Sequence, residues 1–239
     1  MHKPRIVLSR CFCEPVRYDG KKIYNPFIEK LKKYVDITTV CPEVDIGLGV
    51  PRNKIFLIKK QDYRIYYRGK DITESIIDFS KSFISRIGDI DGFLLKSKSP
   101  SCGVVGAKTY SNPDGTGFLG RRQGVFARII KKHFPYLPVE DELKLENLYL
   151  RYSFLTRIFL YSYFKNTEDK TFFLTQYGKI LSMFNQKSFK IFKKDPQIKN
   201  LRNILKRNIS EKKIKSICPK LENCPELIVF PENLLYTEK

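Results

Sequence analysis

The chain has 239 residues, 42% of them hydrophobic and 13% aromatic, which is enough to bury the core of one large or two small domains and excludes a disordered protein. Neither a run of about 18 apolar residues nor a signal-peptide core is present, so we expect a cytoplasmic protein without membrane partners. The formal net charge of +20 is spread over the whole chain and favours a polyanionic partner such as RNA, although a Lys-rich composition with solvated lysines gives the same charge.

Three apolar, strand-like segments in the first half of the chain each lead to a cysteine. The segments are residues 5–10, 36–40 and 92–96, and the cysteines are Cys11, Cys41 and Cys102. Helix-like segments separate them, which predicts a parallel sheet whose three strands end at the same edge. Because ligands of open α/β sheets bind outside the carboxyl ends of the strands, we expect the three thiols to meet in one site.

The other segments of the first half complete an α/β pattern. In chain order, we predict a helix over 26–35 opened by Asn25-Pro26, a hairpin over 54–67, a helix over 72–87 capped by Asp71, a Gly- and Asn-rich loop over 112–120, a helix over 122–133 and a strand near 136–139. The fold class is therefore α/β, with a Rossmann-like parallel-sheet sandwich over residues 1–135.

From Val139 onward, helical periodicity replaces the strand pattern. Amphipathic segments cover residues 140–165, 171–187 and 198–217, and residues 227–230 have the composition of a short strand or an extended tail. We predict a second, mainly α-helical domain over residues 136–239, joined to the first at residues 135–140.

The cysteine content indicates metal chemistry rather than disulfides. In a reducing compartment, grouped cysteines are more often metal-binding or catalytic, although a single buried cysteine is also an ordinary small hydrophobic residue. Soft thiolates favour iron–sulfur, zinc or copper(I) centres. Cys11, Cys41 and Cys102 are separated by about 30 and about 60 residues, unlike the closely paired cysteines of structural zinc sites, and three ligands leave one position open.

The remaining cysteines and the histidines narrow the choice of chemistry. Cys13 is interpreted as a spare ligand, a sulfur relay or a bystander, and Cys218 and Cys224 as structural or incidental. His2 and His133 are too few and too far apart in sequence to favour Ser-His-Asp or Cys-His hydrolases. The chain also lacks a phosphate-binding P-loop and a Gly-x-Gly-x-x-Gly motif.

Polar side chains follow the same three strands. The candidate catalytic residues are Glu43, Asp19, Ser101 and Lys96, and the candidate substrate- or phosphate-binding residues are Arg17, Tyr18, Arg52, Lys98 and Ser99. Glu43 or Asp19 is the candidate general base or proton donor, and the cations can hold a phosphate or stabilise the negative charge of a metal cluster. The ordinary alternatives are a turn at Asp19-Gly20 and a surface salt bridge at Arg52.

Residues 4–134 resemble the thiouracil desulfidase family. The stretches that carry the resemblance are Ser9-Arg10-Cys11 with Val16-Arg17-Tyr18-Asp19-Gly20, Cys41-Pro42-Glu43-Val44 with residues 47–52, residues 94–103 and residues 69–73. The resemblance implies a 4Fe-4S cluster on Cys11, Cys41 and Cys102 whose unligated iron takes the sulfur of a thiolated pyrimidine. Water then replaces that sulfur at carbon without net redox change, on free 2-thiouracil or on thiolated nucleosides in RNA, tRNA included. One departure is Val16, where many relatives have a cysteine.

The rest of the chain resembles a YbgA-type domain, a partner often fused to that family. The resemblance rests on residues 134–142 and 150–159 and, more loosely, on residues 225–231. The domain's usual Phe-His and His-Lys pattern is missing, since residues 174–179 contain no histidine. We therefore expect a scaffold or an RNA-docking module here rather than a second catalytic centre.

Two other functional classes compete with a desulfidase. An RNA-binding or regulatory iron–sulfur protein that senses oxidants would use the same cysteines without needing an acid–base residue. A zinc protein is a further alternative, which elemental analysis distinguishes.

Overall fold

The computed structural model describes residues 2–217, which fold into two β-sheets surrounded by helices. The strands are β1 (Arg5–Ser9), β2 (Asp36–Val40), β3 (Ile55–Lys59), β4 (Tyr63–Tyr67), β5 (Lys70–Asp71), β6 (Gly92–Leu95), β7 (Ala107–Tyr110), β8 (Phe118–Arg122) and β9 (Val139–Asp141). The prediction of an α/β fold with a parallel sheet is confirmed.

The first sheet is entirely parallel and has the strand order β2-β1-β6-β9. The three strands that lead to cysteines are adjacent in it, and the helix-like segments between them serve as the crossover connections that parallel strands require. Strands β1 and β6 are buried almost throughout, as expected for a parallel sheet covered on both faces. The carboxyl ends of all three strands therefore open onto one edge.

The second sheet is mostly antiparallel and has the order β5-β4-β3-β7-β8. The predicted hairpin is present as β3 and β4, paired from Ile55 with Tyr67 to Lys59 with Tyr63. The prediction of a single loop across 112–120 is wrong, because β7 and β8 flank a turn there and pair with each other. Five of the eight residues at Tyr110–Gly117 are glycine, asparagine, serine or proline, a composition that indicates a loop. The strands on either side of it are therefore not apparent in the sequence.

Four helices belong to the first part of the chain: α1 (Pro26–Leu31), α2 (Pro42–Asp45), α3 (Thr73–Arg86) and α4 (Val125–His133). Helix α1 begins as predicted, with the Asn25 side chain accepting a hydrogen bond from Ile28 N, but it ends four residues earlier than predicted. Asp71 is not the N-cap residue of α3; its Oδ1 instead accepts bonds from the backbone and hydroxyl of Thr73. Helix α4 starts three residues later than predicted, because β8 extends to Arg122.

After β9 the regular elements of the described chain are helical. They are a short 3₁₀ turn (Lys144–Glu146), α5 (Leu148–Asn166), α6 (Lys170–Phe184), α7 (Gln186–Lys194), α8 (Ile198–Leu205) and α9 (Glu211–Ile217). The strand or tail predicted at 227–230 lies outside the described residues. Across residues 2–217, the helices lack the combination of length and apolar character needed to cross a membrane.

Helix α5 packs on one face of the parallel sheet. Its Phe154, Leu155, Ile158 and Phe159 join a buried cluster with Ile6, Leu8 and Leu94 of β1 and β6. The approach is closest at Gly92, where an added Cβ would lie 2.8 Å from Ile158 Cγ2. Helices α3 and α4 contribute Ile76, Phe126 and Ile130 to the core on the other face.

The domain boundary at residue 135 remains a prediction. Strand β9 follows that boundary in sequence, yet it pairs with β6 from Phe93–Val139 to Leu95–Asp141. This parallel pairing brings residues just after Asp141 to the same sheet edge as the cysteines.

Candidate metal centre

A pocket of about 450 Å³ lies at the carboxyl ends of β1, β2 and β6. Its inner wall contains Cys11, Cys41 and Cys102. The second sheet supplies the opposite wall through Lys54, Ile55, Phe56, Lys108, Tyr110 and Arg121. The pocket is therefore a cleft between the two sheets, at the place where open α/β sheets bind their ligands.

Each cysteine is positioned by the local structure that follows its strand. Cys11 lies in a 3₁₀ turn (Arg10–Phe12) directly after β1, and Cys41 is the N-cap residue of α2, which begins with Pro42. Cys102 lies in the connection between β6 and β7. All three are free thiols with exposed fractions of 8%, 9% and 5%.

The loop that carries Cys102 is fixed by the N-terminus of α4. Three bonds join Gly124 N to Gly103 O (2.8 Å), Val125 N to Pro100 O (3.1 Å) and Ala127 N to Ser101 O (3.1 Å). The first-turn N–H groups of the helix, which have no partner within the helix, thus bind the loop carbonyls. A Cβ on Gly124 would lie 2.4 Å from Ser101 O, so this approach requires glycine.

Burial disfavours the charged form of all three thiols. Burial and the neighbouring Cys41 raise the pKa of Cys11 to about 12, against the lowering effect of Lys96. The pKa of Cys41 is raised mainly by burial and, to a smaller extent, by the charge of Glu43. The pKa of Cys102 is raised mainly by burial and, to a smaller extent, by Cys41. The thiols are thus close enough to influence one another, and a bound cation is needed to hold all three as thiolates at neutral pH.

This donor set fits an iron–sulfur cluster better than a single metal ion. In residues 2–217, no three His, Cys, Asp or Glu side chains are placed to bind one ion. A cluster binds each cysteine through a different iron, so its ligand sulfurs lie farther apart than the ligands of one ion. Three buried thiols without histidine in the same lining are the soft ligands that such a cluster takes.

Glu43 is held between a buried arginine and two serines. Its Oε2 accepts a hydrogen bond from Arg52, whose side chain is only 2% exposed. Its Oε1 accepts from the hydroxyls of Ser101 (2.7 Å) and, more weakly, Ser99 (3.3 Å). Ser101 Oγ lies 3.8 Å from Cys102 Sγ, so a carboxylate and a hydroxyl are fixed beside one of the three thiols.

A second ion pair joins the carboxyl ends of β6 and β9. Lys96, directly after β6, pairs with Glu142, directly after β9. The Glu142 carboxylate also accepts hydrogen bonds from Ser97 N (2.7 Å) and Ser97 Oγ (2.6 Å). A third acidic side chain, Asp45, accepts a hydrogen bond from Cys41 N (3.2 Å) and pairs with Arg10 (2.7 Å), so each of the three carboxylates near the thiols has a cationic partner.

The pocket wall has a strong excess of positive charge. Its basic residues are Arg10, Arg17, Arg52, Lys54, Lys96, Lys98, Lys108 and Arg121, whereas Glu43 is the acidic residue among the described lining residues. Lys54 Nζ and Arg17 Cζ both lie 5.5 Å from the ring centroid of Tyr18, which places an aromatic ring between two cations. The pocket is therefore suited to an anionic or electron-rich ring ligand.

Most of the residues singled out from the sequence are brought together. Ten line the pocket: Cys11, Arg17, Tyr18, Cys41, Glu43, Arg52, Lys96, Lys98, Ser99 and Cys102. Ser101 is buried behind the lining and bonded to Glu43. Asp19 is exposed, is paired with Arg17 at 3.3 Å and is not part of the lining.

The other cysteines lie elsewhere. Cys13 is half-buried beside Lys32 and Glu29 and outside the lining. Cys218 and Cys224 fall outside the described residues.

Sequence reasoning missed the contributions of the second sheet and of Glu142. Lys54 and Phe56 lie in the predicted hairpin, but nothing in its alternation shows that this hairpin faces the cysteines. Lys108 and Arg121 lie on the two strands that were not predicted. For Glu142 a signal existed, since an acidic run, Glu140-Asp141-Glu142, follows an apolar segment at the end of a parallel strand.

Comparison with known proteins adds a family assignment to this geometry. A comparison with curated proteins gives no match. Among solved structures, a 4Fe-4S-dependent thiouracil desulfidase, TudS, is 26% identical over 60% of this chain and 93% of that chain, with a TM-score of 0.47. A sequence profile described as 2-thiouracil desulfurase matches residues 6–142, a range that contains the three pocket cysteines, Glu43 and Glu142. The chain therefore belongs to the 2-thiouracil desulfurase family.

Proposed function

We propose that the protein removes sulfur from a thiolated pyrimidine, such as 2-thiouracil or a thiouridine, using a 4Fe-4S cluster held by Cys11, Cys41 and Cys102. Water supplies the oxygen that replaces sulfur, so the products are uracil or uridine and hydrogen sulfide, without net oxidation or reduction. The observation that carries the proposal is the meeting of three buried thiols with the Glu43–Ser101 pair in one pocket. Membership of the family supports the reaction class.

The chain's own residues supply positioning and proton transfer. When bound, the cluster would offer one iron without a protein ligand, a Lewis acid for the substrate sulfur. The Glu43 carboxylate, oriented by Arg52, accepts a proton from the attacking water. Ser101, 2.7 Å from Glu43 Oε1, donates a hydrogen bond to that carboxylate and holds it near Cys102. Both protons of the attacking water pass to the released sulfur, which leaves as hydrogen sulfide.

The charge of the pocket supports a substrate that carries phosphate. Lys54, Lys108 and Arg121 stand on the wall opposite the cysteines, where the part of a nucleotide remote from its base would lie, and Lys98 lines the pocket from the loop that carries Cys102. The net charge of +20 extends this preference to the whole molecule. We therefore propose thiolated RNA, with tRNA as the candidate, alongside the free thiolated base and nucleoside.

The first experiment combines iron counting with a sulfide-release assay. After anaerobic purification or reconstitution with iron and sulfide, we expect about four irons per chain and release of sulfide from 2-thiouracil or 2-thiouridine. Cys102→Ala should lose both. Absence of iron after reconstitution would contradict the proposed cluster. Zinc bound in its place would support the alternative of a zinc protein.

The second candidate function is oxidant sensing by an RNA-binding iron–sulfur protein, which the three thiols and the basic pocket wall would also suit. The variant Glu43→Gln distinguishes this function from catalysis. We expect this variant to keep its iron and to lose about 10²- to 10⁴-fold in sulfide release, because glutamine keeps the shape and an acceptor oxygen for Arg52 but cannot take a proton from water. Asp19→Asn is the matched control, since Asp19 is exposed and outside the pocket lining. If Glu43→Gln is as active as Asp19→Asn, the assigned base is wrong. If the wild-type protein holds four irons and releases no sulfide, the result indicates another thiolated substrate or the sensing function.

A further inference from the structure

Glu142 is buried at the edge of the pocket although it comes from the last strand of the sheet. Its exposed fraction is 6%. Pairing of β6 with β9, which sets Leu95 opposite Asp141, brings Glu142 beside Lys96 and Ser97. The carboxylate uses both oxygens: Oε2 accepts from Ser97 N, and Oε1 accepts from Ser97 Oγ and from the Lys96 ammonium.

The bonds of the Lys96 ammonium are complete. An ammonium group has three donors, and these reach Glu142 Oε1, Ser97 O (3.0 Å) and Ser97 Oγ (2.8 Å). The backbone N of Lys96 is also held, by Ser9 Oγ at 2.8 Å. No donor is left to give a proton to a substrate, although the side chain lines the pocket. This geometry argues against the catalytic role that the sequence suggests for Lys96.

The ion pair is placed to act on a cluster ligand. Lys96 directly follows β6, which pairs with β1, and its backbone N is bonded to Ser9 Oγ, two residues before Cys11; both Lys96 and Cys11 line the pocket. Burial raises the pKa of the Cys11 thiol, and the positive charge of Lys96 acts in the opposite direction. The Lys96 side chain is 25% exposed and that of Glu142 7%, and such a pair adds little to folding stability, because the carboxylate loses its hydration and solvent weakens the attraction at the lysine. The pair is therefore better explained by what a fixed positive charge does for a neighbouring thiolate.

We infer that Glu142 is a positioning residue that locks the Lys96 ammonium beside Cys11, where it acts as a fixed counter-charge to the thiolate and not as a proton donor. This inference rests on the proposed function, since the thiolate charge arises when Cys11 binds the cluster. It differs from a direct effect of Glu142, because a carboxylate acting alone would repel the thiolate.

The test is the rate at which a chelator removes iron from the reconstituted, full-length protein. Released from Glu142, Lys96 becomes mobile, so Glu142→Gln should speed iron loss by about 10-fold or more. If Glu142 acts only through its own negative charge, the same substitution removes a repulsion and slows iron loss. Glu140→Gln is the matched control, because Glu140, which lies on β9 two residues before Glu142, is also buried but pairs with Lys144 and not with Lys96.

A double-mutant cycle with Lys96→Met shows whether Glu142 works through Lys96. We expect Lys96→Met to speed iron loss as well, and Glu142→Gln to add nothing further in that background. Additive effects would overturn the inference, as would an effect of Glu140→Gln equal to that of Glu142→Gln. If Glu142 only stabilises the fold, the metal-free Glu142→Gln protein should have a lower melting temperature than the wild type, and this result would also overturn the inference. If the wild-type protein takes up no iron, the proposed function fails and this inference fails with it.

Discussion

At the residue scale, the pocket combines thiols that are poor acids with carboxylates that each have a cationic partner. Burial keeps the three cysteines protonated in the metal-free protein, while Arg52 neutralises Glu43 and Lys96 neutralises Glu142. A group that supplies positive charge and takes three thiolates would complete this electrostatic balance. Its uptake must release protons, because the thiols are protonated beforehand.

This balance predicts slow alkylation of the metal-free protein. Since burial raises the pKa of Cys11 to about 12, its reactive thiolate is scarce at pH 7 and increases as the pH rises toward that value. We expect mass spectrometry to show that iodoacetamide modifies Cys11, Cys41 and Cys102 more slowly than a cysteine in the unfolded chain. The modification rate should rise steadily between about pH 8 and pH 11. Rapid, pH-independent modification at neutral pH would show that these thiols are ionised and contradict the burial argument.

At the scale of elements, three strand ends and one helix N-terminus set the positions of the cysteines. Cys11 and Cys41 follow their strands within two residues, whereas Cys102 comes seven residues after Leu95 and needs an external anchor. Helix α4 provides that anchor by donating three hydrogen bonds to the loop. The position of the third thiol therefore depends on an element that follows it in sequence.

Gly124→Ala tests this anchor. The added Cβ would lie 2.4 Å from Ser101 O and 2.8 Å from Pro100 O, so helix and loop must separate. We expect a loss of about 1–3 kcal/mol in unfolding free energy and a reduced iron content after reconstitution. Gly106→Ala serves as the control in the same connection, because its Cβ would meet Lys98 Cγ at an ordinary 3.5 Å. Equal iron content in the two variants would show that α4 does not position Cys102.

The sequence predicted those elements whose signal is local. Alternation and helical spacing identified β1, β2, β6 and the hairpin, and because parallel strands end at one edge, they also placed the three cysteines together. Strands β7 and β8 were missed because β8 is largely exposed and has no apolar alternation, and because their turn is rich in glycine and polar residues. The pairing of β9 with β6 was not predicted, and therefore neither was the position of Glu142. Glu142 contacts Lys96, which is 46 residues earlier in the chain, and a local sequence pattern cannot show such a contact.

At the scale of the whole molecule, the helical region and the sheet share buried surface. Helix α5 places Phe154 and Ile158 against β1 and β6, in the cluster that also contains Cys11 and Cys41. A helix that covers the sheet next to the cysteines supports their burial as well as the fold. A substitution that weakens the packing of this helix should therefore also loosen the residues around the pocket.

Ile158→Ala is expected to loosen the sheet as well as the helix. Ile158 is fully buried against Gly92, so the substitution should cost about 2–5 kcal/mol and speed hydrogen exchange in both β1 and β6. Leu181→Ala in α6 is an equally buried control, and its effect should be concentrated in the helices. Unchanged exchange in β1 and β6 of Ile158→Ala would mean that the helical region folds independently of the sheet.

The spread of the pocket residues along the chain has a consequence for the order of biosynthesis. Ser9 and Cys11 leave the ribosome first, whereas Glu142 follows only after a delay on the order of ten seconds at typical elongation rates. Until β9 has emerged and paired with β6, the Lys96 ammonium lacks its carboxylate and the thiols lack their full cover. Nascent chains thus expose the three thiols before the cavity around them is complete, and we expect the proposed cluster to be inserted only after residue 142 has been synthesised.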